Sequence, residues 1–362
     1  MEAQTVVRFL SKAESSDLTL ARFSSESDEQ AARRFLDARA GDIDKALLLL
    51  RECAALKRRH KVEELRRLSA EEVIGADPRV LEHFYPHGSL GHDKQHRPLL
   101  FEHTGGIDIH AVLHMTSLER LLDLHLWTME VKVDAMVTES FNAPGASLSS
   151  VKVVAITDLT KLTIGHCSPK LIDHIKGIIA IDNVCYPEVL GNMFIVNAPK
   201  IALGAYRVLR GFLDPRTQRK IEMVGTKDRQ RLLEIVDESQ LPVSLGGTGP
   251  EPYARKPHTG FVSVAAKGHF AYSVTVAVGE RLSVDSYIRE SAMEVVVTKV
   301  EEGEEGKSEE IHRGTINSLP GGEPTRKLFK LDSMKTAGRV TVTWTNSERW
   351  HSRHLVYSLG VE

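Results

Sequence analysis

Residues 186–225 read YPEVLGNMFIVNAPKIALGAYRVLRGFLDPRTQRKIEMVG, and no other stretch limits the fold so tightly. Met193 to Val196 is an apolar run of strand length. Asn197 suits a helix cap, and Pro199 suits a first turn, where a missing N–H costs little. From Ile201 the apolar residues recur at Ala205, Val208, Leu209 and Phe212, the spacing of one helix face. Arg207 and Arg210 fall off that stripe. Asp214-Pro215 then restarts the chain as a cap plus first-turn proline, and Ile221 to Val224 returns as a strand. The order predicted is strand, amphipathic helix, short helix, strand. A crossover between parallel strands is right-handed.

The flanking sequence extends this pattern. Leu99-Leu100-Phe101-Glu102 follows the turn-rich Asp93 to Pro98, and Val151 to Ile156 is a β-branched run broken only by Lys152. Helical spacing lies between them, through Ser117 to Leu122 and Leu126 to Glu130, with Ser117 suited to cap. Strands alternating with helices predict a largely parallel sheet covered on at least one face. Upstream, a helical pattern begins near Glu29 and breaks at Gly41; Asp42 caps a second helix carrying Ile43, Ala46, Leu47, Leu50 and Ala54 on one stripe. After Pro250-Glu251-Pro252 the period changes to two. Phe261–Val264, Tyr272–Val276, Leu282–Val284, Glu294–Val297, Lys327–Phe329, Val340–Trp344 and Leu355–Leu359 are short strands of a β-sandwich. The Gly- and Glu-rich residues 301–310 read as an exposed hairpin loop.

Composition removes several function classes. A net charge of −2 on 362 residues gives no global field for nucleic acid. The basic run Lys57 to Lys61 reads as a solvated helix end, because Glu63 and Glu64 follow at once. No apolar run reaches bilayer length, and the first residues lack a signal-peptide apolar core. Cys53, Cys167 and Cys185 have no metal-type spacing and read as free thiols of a reducing cytosol. His83, His87, His92, His96 and His103 read as surface loop histidines rather than a zinc site, so no metal is expected. Gly165-His166-Cys167-Ser168 lacks an orienting acid, and Gly246-Gly247-Thr248-Gly249 lacks the lysine and helix of a phosphate loop. The expectation is a protein without catalytic residues or cofactor, and not an enzyme.

The residues Tyr186-Pro187-Glu188, Gly191, Ile195, Asn197-Ala198-Pro199, Phe212-Leu213-Asp214-Pro215, Thr217 and Lys220-Ile221 resemble the lipid-exchange region of the CRAL-TRIO family. The likeness is to the branch that transfers phosphatidylinositol and phosphatidylcholine, and it continues to Leu241-Pro242-Val243 and Gly246-Gly247. Arg33, Arg34, Phe35, Leu36, Ala38 and Arg39 with Asp42-Ile43 resemble a motif of the family's N-terminal helical module, with Asp37 replacing an arginine. The resemblance implies a phosphatidylinositol headgroup site at Arg39, Glu188, Thr217 and Lys220. It implies a mobile gate in the helix bearing Ile201, Ala205, Val208, Leu209 and Phe212, with Gly204 and Gly211 as hinges. The positions that match the phosphatidylcholine site are Ser89, Leu100, Val153 and Ala155, and three of these cannot donate a hydrogen bond to a phosphate. Weakened phosphatidylcholine binding is therefore expected, with a more apolar second ligand such as a sterol, tocopherol, retinoid or squalene-like isoprenoid.

The ending Gly338, Val342, Trp344, Asn346-Ser347, Trp350 and Leu355-Val356-Tyr357 looks like the close of a GOLD (Golgi dynamics) domain. The pairing resembles the supernatant-protein-factor and tocopherol-associated proteins and the patellins. The expected architecture is a helical module (1–75), an α/β lipid-binding domain (76–249) and an all-β sandwich (250–362). The expected function is binding and transfer of phosphatidylinositol and a hydrophobic lipid, in the cytoplasm, with transient contact at membranes, including the Golgi. The alternative is a trafficking adaptor that binds a protein partner through its sandwich.

Overall fold

The computed structural model describes residues 3–144, 149–225, 230–253, 256–303 and 307–362, apart from the side chain of Cys167. The middle of the expected 301–310 loop and the thiol in the 165–168 run thus lie outside the described residues. Contacts divide the chain into two units. The first takes Met1–Val73, Tyr85–Ile107 and Glu119–Tyr253; the second takes Ile74–Phe84, Asp108–Leu118 and Ala254–Glu362.

The first unit opens with helices α1 (Ala3–Ser15), α2 (Asp28–Asp37), α3 (Ile43–Arg59), α4 (Val62–Leu65) and α5 (Ala70–Ile74, its last residue in the second unit). Local chemistry sets their starts. Ser27 and Gln30 form a reciprocal capping box on α2, and the Asp42 carboxylate accepts from Lys45 N at the start of α3. Phe9, Phe35, Leu36, Leu49 and Leu50 bury their apolar faces. Helix α6 (Pro78–Phe84) belongs to the second unit.

The sheet follows: β1 (His87–His92) and β2 (Pro98–Glu102); then α7 (Ile109–Met115) of the second unit, α8 (Leu118–Trp127) and α9 (Asp134–Asn142); then β3 (Val153–Asp158), α10 (Pro169–Cys185) and β4 (Leu190–Val196). Helices α11 (Ala202–Arg210) and α12 (Pro215–Gln218) lead to β5 (Ile221–Val224), and α13 (Gln230–Ile235) closes it. Strand order is β1-β2-β3-β4-β5, with β1 antiparallel to β2 and the others parallel. Alternation gives the sheet two apolar faces. Leu99, Phe101, Val154, Ile156, Phe194 and Val196 pack against Leu232, Val236, Leu241 and Leu245. The opposite face carries the chamber described below.

Asn197 does not cap the helix that follows. Its amide donates to Asp158 Oδ1 (2.9 Å), tying the ends of β3 and β4, and α11 starts at Ala202, behind Ile201. Asp214 does cap α12, through Arg216 N at 2.8 Å. Of the histidines read as surface residues, His103 is buried, with Nδ1 at 2.9 Å from the Tyr253 hydroxyl and Nε2 at 2.9 Å from Thr160 O. A five-atom ring at the end of a strand fills space between two oxygen partners, which the turn-rich sequence around it conceals.

The second unit is a sandwich of two antiparallel four-stranded sheets. Its strands are β6 (Thr259–Val264), β7 (His269–Val276), β8 (Leu282–Ile288), β9 (Met293–Glu301), β10 (Glu309–Ile316), β11 (Thr325–Lys330), β12 (Gly338–Thr345) and β13 (Arg353–Val361). The orders are β10-β9-β12-β7 and β11-β8-β13-β6. Trp344 is fully buried, its indole N–H donating to Ser286 Oγ at 2.9 Å, whereas Trp350 is 82% exposed.

Candidate functional site

The chamber grows from the residue alternation of the sheet. Leu100 on β2, Val153 and Ala155 on β3, Ile195 on β4 and Ile221 on β5 line one cavity of about 730 Å³ within the first unit. Helices complete the wall with Leu121 and Leu124 of α8, Ile175 and Ile178 of α10, and Ala205 and Leu209 of α11. An apolar chamber of that size with a few convergent polar groups is the usual build of a small-molecule site.

Arg39, Glu188, Thr217 and Lys220, far apart in sequence, all line this one chamber. Glu188 is their centre. Its carboxylate accepts from Lys220 Nζ at 2.8 Å, with Arg216 Nη1 at 3.4 Å and Lys152 Nζ at 3.8 Å. Lys152 also donates to the Glu188 carbonyl. Burial works to raise the Glu188 carboxyl, but the hydrogen bond and charge of Lys220, with Lys152 and Arg216, hold it below the ordinary range. Burial and the charge of Lys220 push the Lys152 ammonium down. Three cations thus surround one carboxylate, a local excess of positive charge in a protein of net charge −2. Arg39 follows α2, its Nη1 donating to Ala38 O at 3.0 Å. That leaves most of its planar fork of donors for a phosphate.

Backbone geometry supports the cluster. Glu188 has φ 59°, a left-handed conformation that is unusual outside glycine. Arg34, 3% exposed, holds the preceding residue: Nη1 donates to Pro187 O at 3.2 Å while Nε binds Glu26 Oε1 at 2.6 Å. The sequence placed Arg34 within a motif but gave it no role. The structure shows it fixing the turn that presents Glu188.

The remaining positions separate. Leu100, Val153 and Ala155 line the chamber, whereas Ser89 is exposed and outside the lining. On α11, Ala202, Ala205, Tyr206 and Leu209 face inward, with Phe212 beyond the helix end. Val208 is 51% exposed, and neither it nor Ile201 lines the chamber. The inward face is thus rotated from the predicted stripe. Leu203 and Val208 stand outward among Arg207 and Arg210. Gly211 is right-handed (φ −64°), and a side chain at Gly204 would meet no neighbour.

A second polar group was not legible in the sequence. Glu102, on β2, shares the chamber lining with Leu100. Its oxygens accept from Tyr85 Oη (2.8 Å) and Thr104 Oγ1 (2.5 Å). The same Tyr85 oxygen lies 3.3 Å from His174 Nε2, and His125 Nε2 lies 2.7 Å from Asp182 Oδ1. Burial lowers the His174 imidazole to about 4 despite the nearby Glu102 charge. Burial would also lower His125, but the charge and hydrogen bond of Asp182 raise it instead. A polar residue alternating with apolar ones normally marks a solvent face; here that face is a chamber wall.

A helix-covered α/β unit around a largely apolar chamber has the build that small-molecule sites commonly share. Residues 83–247 match the family model of the CRAL/TRIO domain. The chain is similar to the phosphatidylinositol/phosphatidylcholine transfer protein SFH9 of Arabidopsis thaliana, 30% identical over 227 residues, covering 61% of this chain and 37% of that protein. It is also similar to the SEC14 cytosolic factor of Eremothecium gossypii, 26% identical over 234 residues, covering 64% and 72%. A crystal structure of Sfh5 overlaps 62% of this chain and 81% of its own, with a TM-score of 0.49 and 11% identity. The chain spans 34% to 57% of the length of five Arabidopsis transfer proteins it matches. All five carry the name phosphatidylinositol/phosphatidylcholine transfer protein. Among the described residues, no helix is long and apolar enough to cross a membrane.

Proposed function

We propose that this protein binds phosphatidylinositol with the headgroup at Arg39, Glu188, Thr217 and Lys220, and exchanges it at membranes through α11. The observation that carries the reading is the Glu188–Lys220 pair, ringed by Lys152 and Arg216, at one end of a largely apolar chamber. Cations recognise a phosphodiester, and Glu188 orders Lys220 or accepts inositol hydroxyls. Thr217 donates to phosphate. The exposed Leu203, Val208, Arg207 and Arg210 suit α11 to a lipid surface. Leu100, Val153 and Ala155 give a phosphocholine group no donor, so the second ligand is a more apolar lipid. The protein works in the cytosol and touches membranes transiently.

The test is mass spectrometry of lipids extracted after incubation with a mixed membrane extract. Wild type should retain phosphatidylinositol and little phosphatidylcholine, and Lys220→Ala should lose phosphatidylinositol about tenfold or more while keeping apolar lipids. Phosphatidylcholine as the main lipid would overturn the second-ligand reading, and unchanged phosphatidylinositol in the variant would overturn the headgroup site. The sandwich is proposed to be GOLD-like and to recognise a protein. Trp350, 82% exposed, favours a second reading as a trafficking adaptor. Fast lipid exchange between vesicles supports transfer; persistent occupancy with a tight protein partner supports the adaptor.

A further inference from the structure

The chamber has two polar ends on one sheet. Lys152, Glu188 and Lys220 lie where β3, β4 and β5 begin. Glu102 lies where β2 finishes and pairs with Thr157, four residues along β3 from Val153. At about 3.3 Å per residue the ends are roughly 13 Å apart. One end is cationic. The other holds the Glu102 carboxylate.

Donor and acceptor accounting at the Glu102 end is one-sided. Tyr85 and Thr104 both spend their only O–H on Glu102. The Tyr85 oxygen then accepts from His174 Nε2–H. In that tautomer His174 Nδ1 is an acceptor, and it has no partner although the residue is 2% exposed. His125 is turned to Asp182. The unused valences are therefore lone pairs on Glu102, Tyr85 and Thr104, with His174 behind them. Among the described residues no Lys, Arg or His forms a salt bridge with Glu102. Phosphate brings only acceptors and negative charge, and an alcohol brings one donor.

We infer that the Glu102 end is a second headgroup site, for a single-chain lipid that ends in a protonated amine. An ammonium group offers three donors and the missing positive charge. Its tail lies along Leu100, Ala155 and Ile195. Tight packing fixes the geometry: a side chain at Gly105 would stand 2.1 Å from Thr160 O, so only glycine lets the turn after Thr104 close against β3's end.

This inference rests on the chamber being a lipid cavity. The test is equilibrium dialysis with pyrene-tailed lipids that share one decyl chain and end in an ammonium, a hydroxyl, a methyl ether or a carboxylate. Phosphatidylinositol binding is measured beside them. At neutral pH the ammonium lipid should bind about tenfold tighter than the alcohol, and the carboxylate weakest. Glu102→Gln, which keeps the shape, should bring the ammonium-to-alcohol ratio to about one. An alcohol that binds as tightly as the ammonium in wild type, or an unchanged ratio in Glu102→Gln, would overturn the site. If phosphatidylinositol still binds, only this inference fails. If neither phosphatidylinositol nor any pyrene lipid enters, the lipid-cavity reading fails with it.

Discussion

His174 and Glu188 sit in one chamber and respond to acid in different windows. His174 is neutral by burial, its pKa lowered from the ordinary 6.5 to about 4, with Tyr85, Glu102 and His125 around it. Between those values the unfolded chain binds a proton that the native chain refuses. Stability from this group is therefore complete above the unfolded value and falls as pH drops from 6.5 toward 4, by about 3 kcal/mol in all. Glu188 has a lowered carboxyl pKa, so its stabilisation is present above the ordinary 4.5 and fades as pH falls through the folded value. Urea unfolding followed from pH 7 to pH 3 should show both (about 3 kcal/mol for the histidine). His174→Phe should flatten the upper part of the profile, and Glu188→Gln only the part below the ordinary carboxylate range. A His174→Phe profile that keeps the wild-type slope above pH 5 would sink the assignment.

Helix α11 carries apolar residues on both its inward and its outward side. Its presence and amphipathic nature were legible because helical spacing is a strong signal, whereas its start was not: Asn197 binds Asp158 instead of capping it. Which residues faced inward was not: Ala202 and Tyr206 line the chamber, while Val208 stands outside. With apolar residues on both sides, periodicity cannot distinguish a chamber wall from a surface that meets lipid. The same limit hid Glu102, and it hid β10, whose Glu309, Glu310, His312 and Arg313 form an edge strand paired only to β9. Asp42, Asp214 and the strand at Ile221–Val224 were readable because cap chemistry and short apolar runs act locally. Gly204 gives α11 its test. A methyl group there meets no atom within 4 Å, so Gly204→Ala should stiffen the helix by about 1 kcal/mol without a clash. If α11 must deform to open, lipid exchange between vesicles should slow several-fold while equilibrium binding stays the same or tightens. Unchanged exchange would mean the helix moves as a rigid piece or does not gate.

The whole molecule is not a string of successive domains, because the second unit borrows two segments from early in the chain. Ile74–Phe84 and Asp108–Leu118 group with Ala254–Glu362, while the strands β1 and β2 between them belong to the first unit. Physical links explain the grouping. Tyr287, fully buried on β8, donates to Asp285 and accepts from Asp77 N at 3.0 Å, just before α6. Arg289 donates to Leu113 O at 2.9 Å, and Lys256 pairs with Asp77 at 3.2 Å. Helix α7 packs on β8 and β13, and α6 packs on α7. Val80, Leu81, Ile109, Val112 and Met115 are all buried. A chain cut after Tyr253 would keep both helices and lose the sandwich beneath α7. The cut removes the strands that α7 packs on and the links from Tyr287, Arg289 and Lys256, and a loss of even about 5 kcal/mol is comparable with the whole stability of many domains. The truncated chain should therefore aggregate or melt well below the full chain, although every chamber residue is still present. Size-exclusion chromatography and thermal unfolding check this. A monomeric fragment with the full-length melting temperature would show that α6 and α7 find adequate cover without the sandwich.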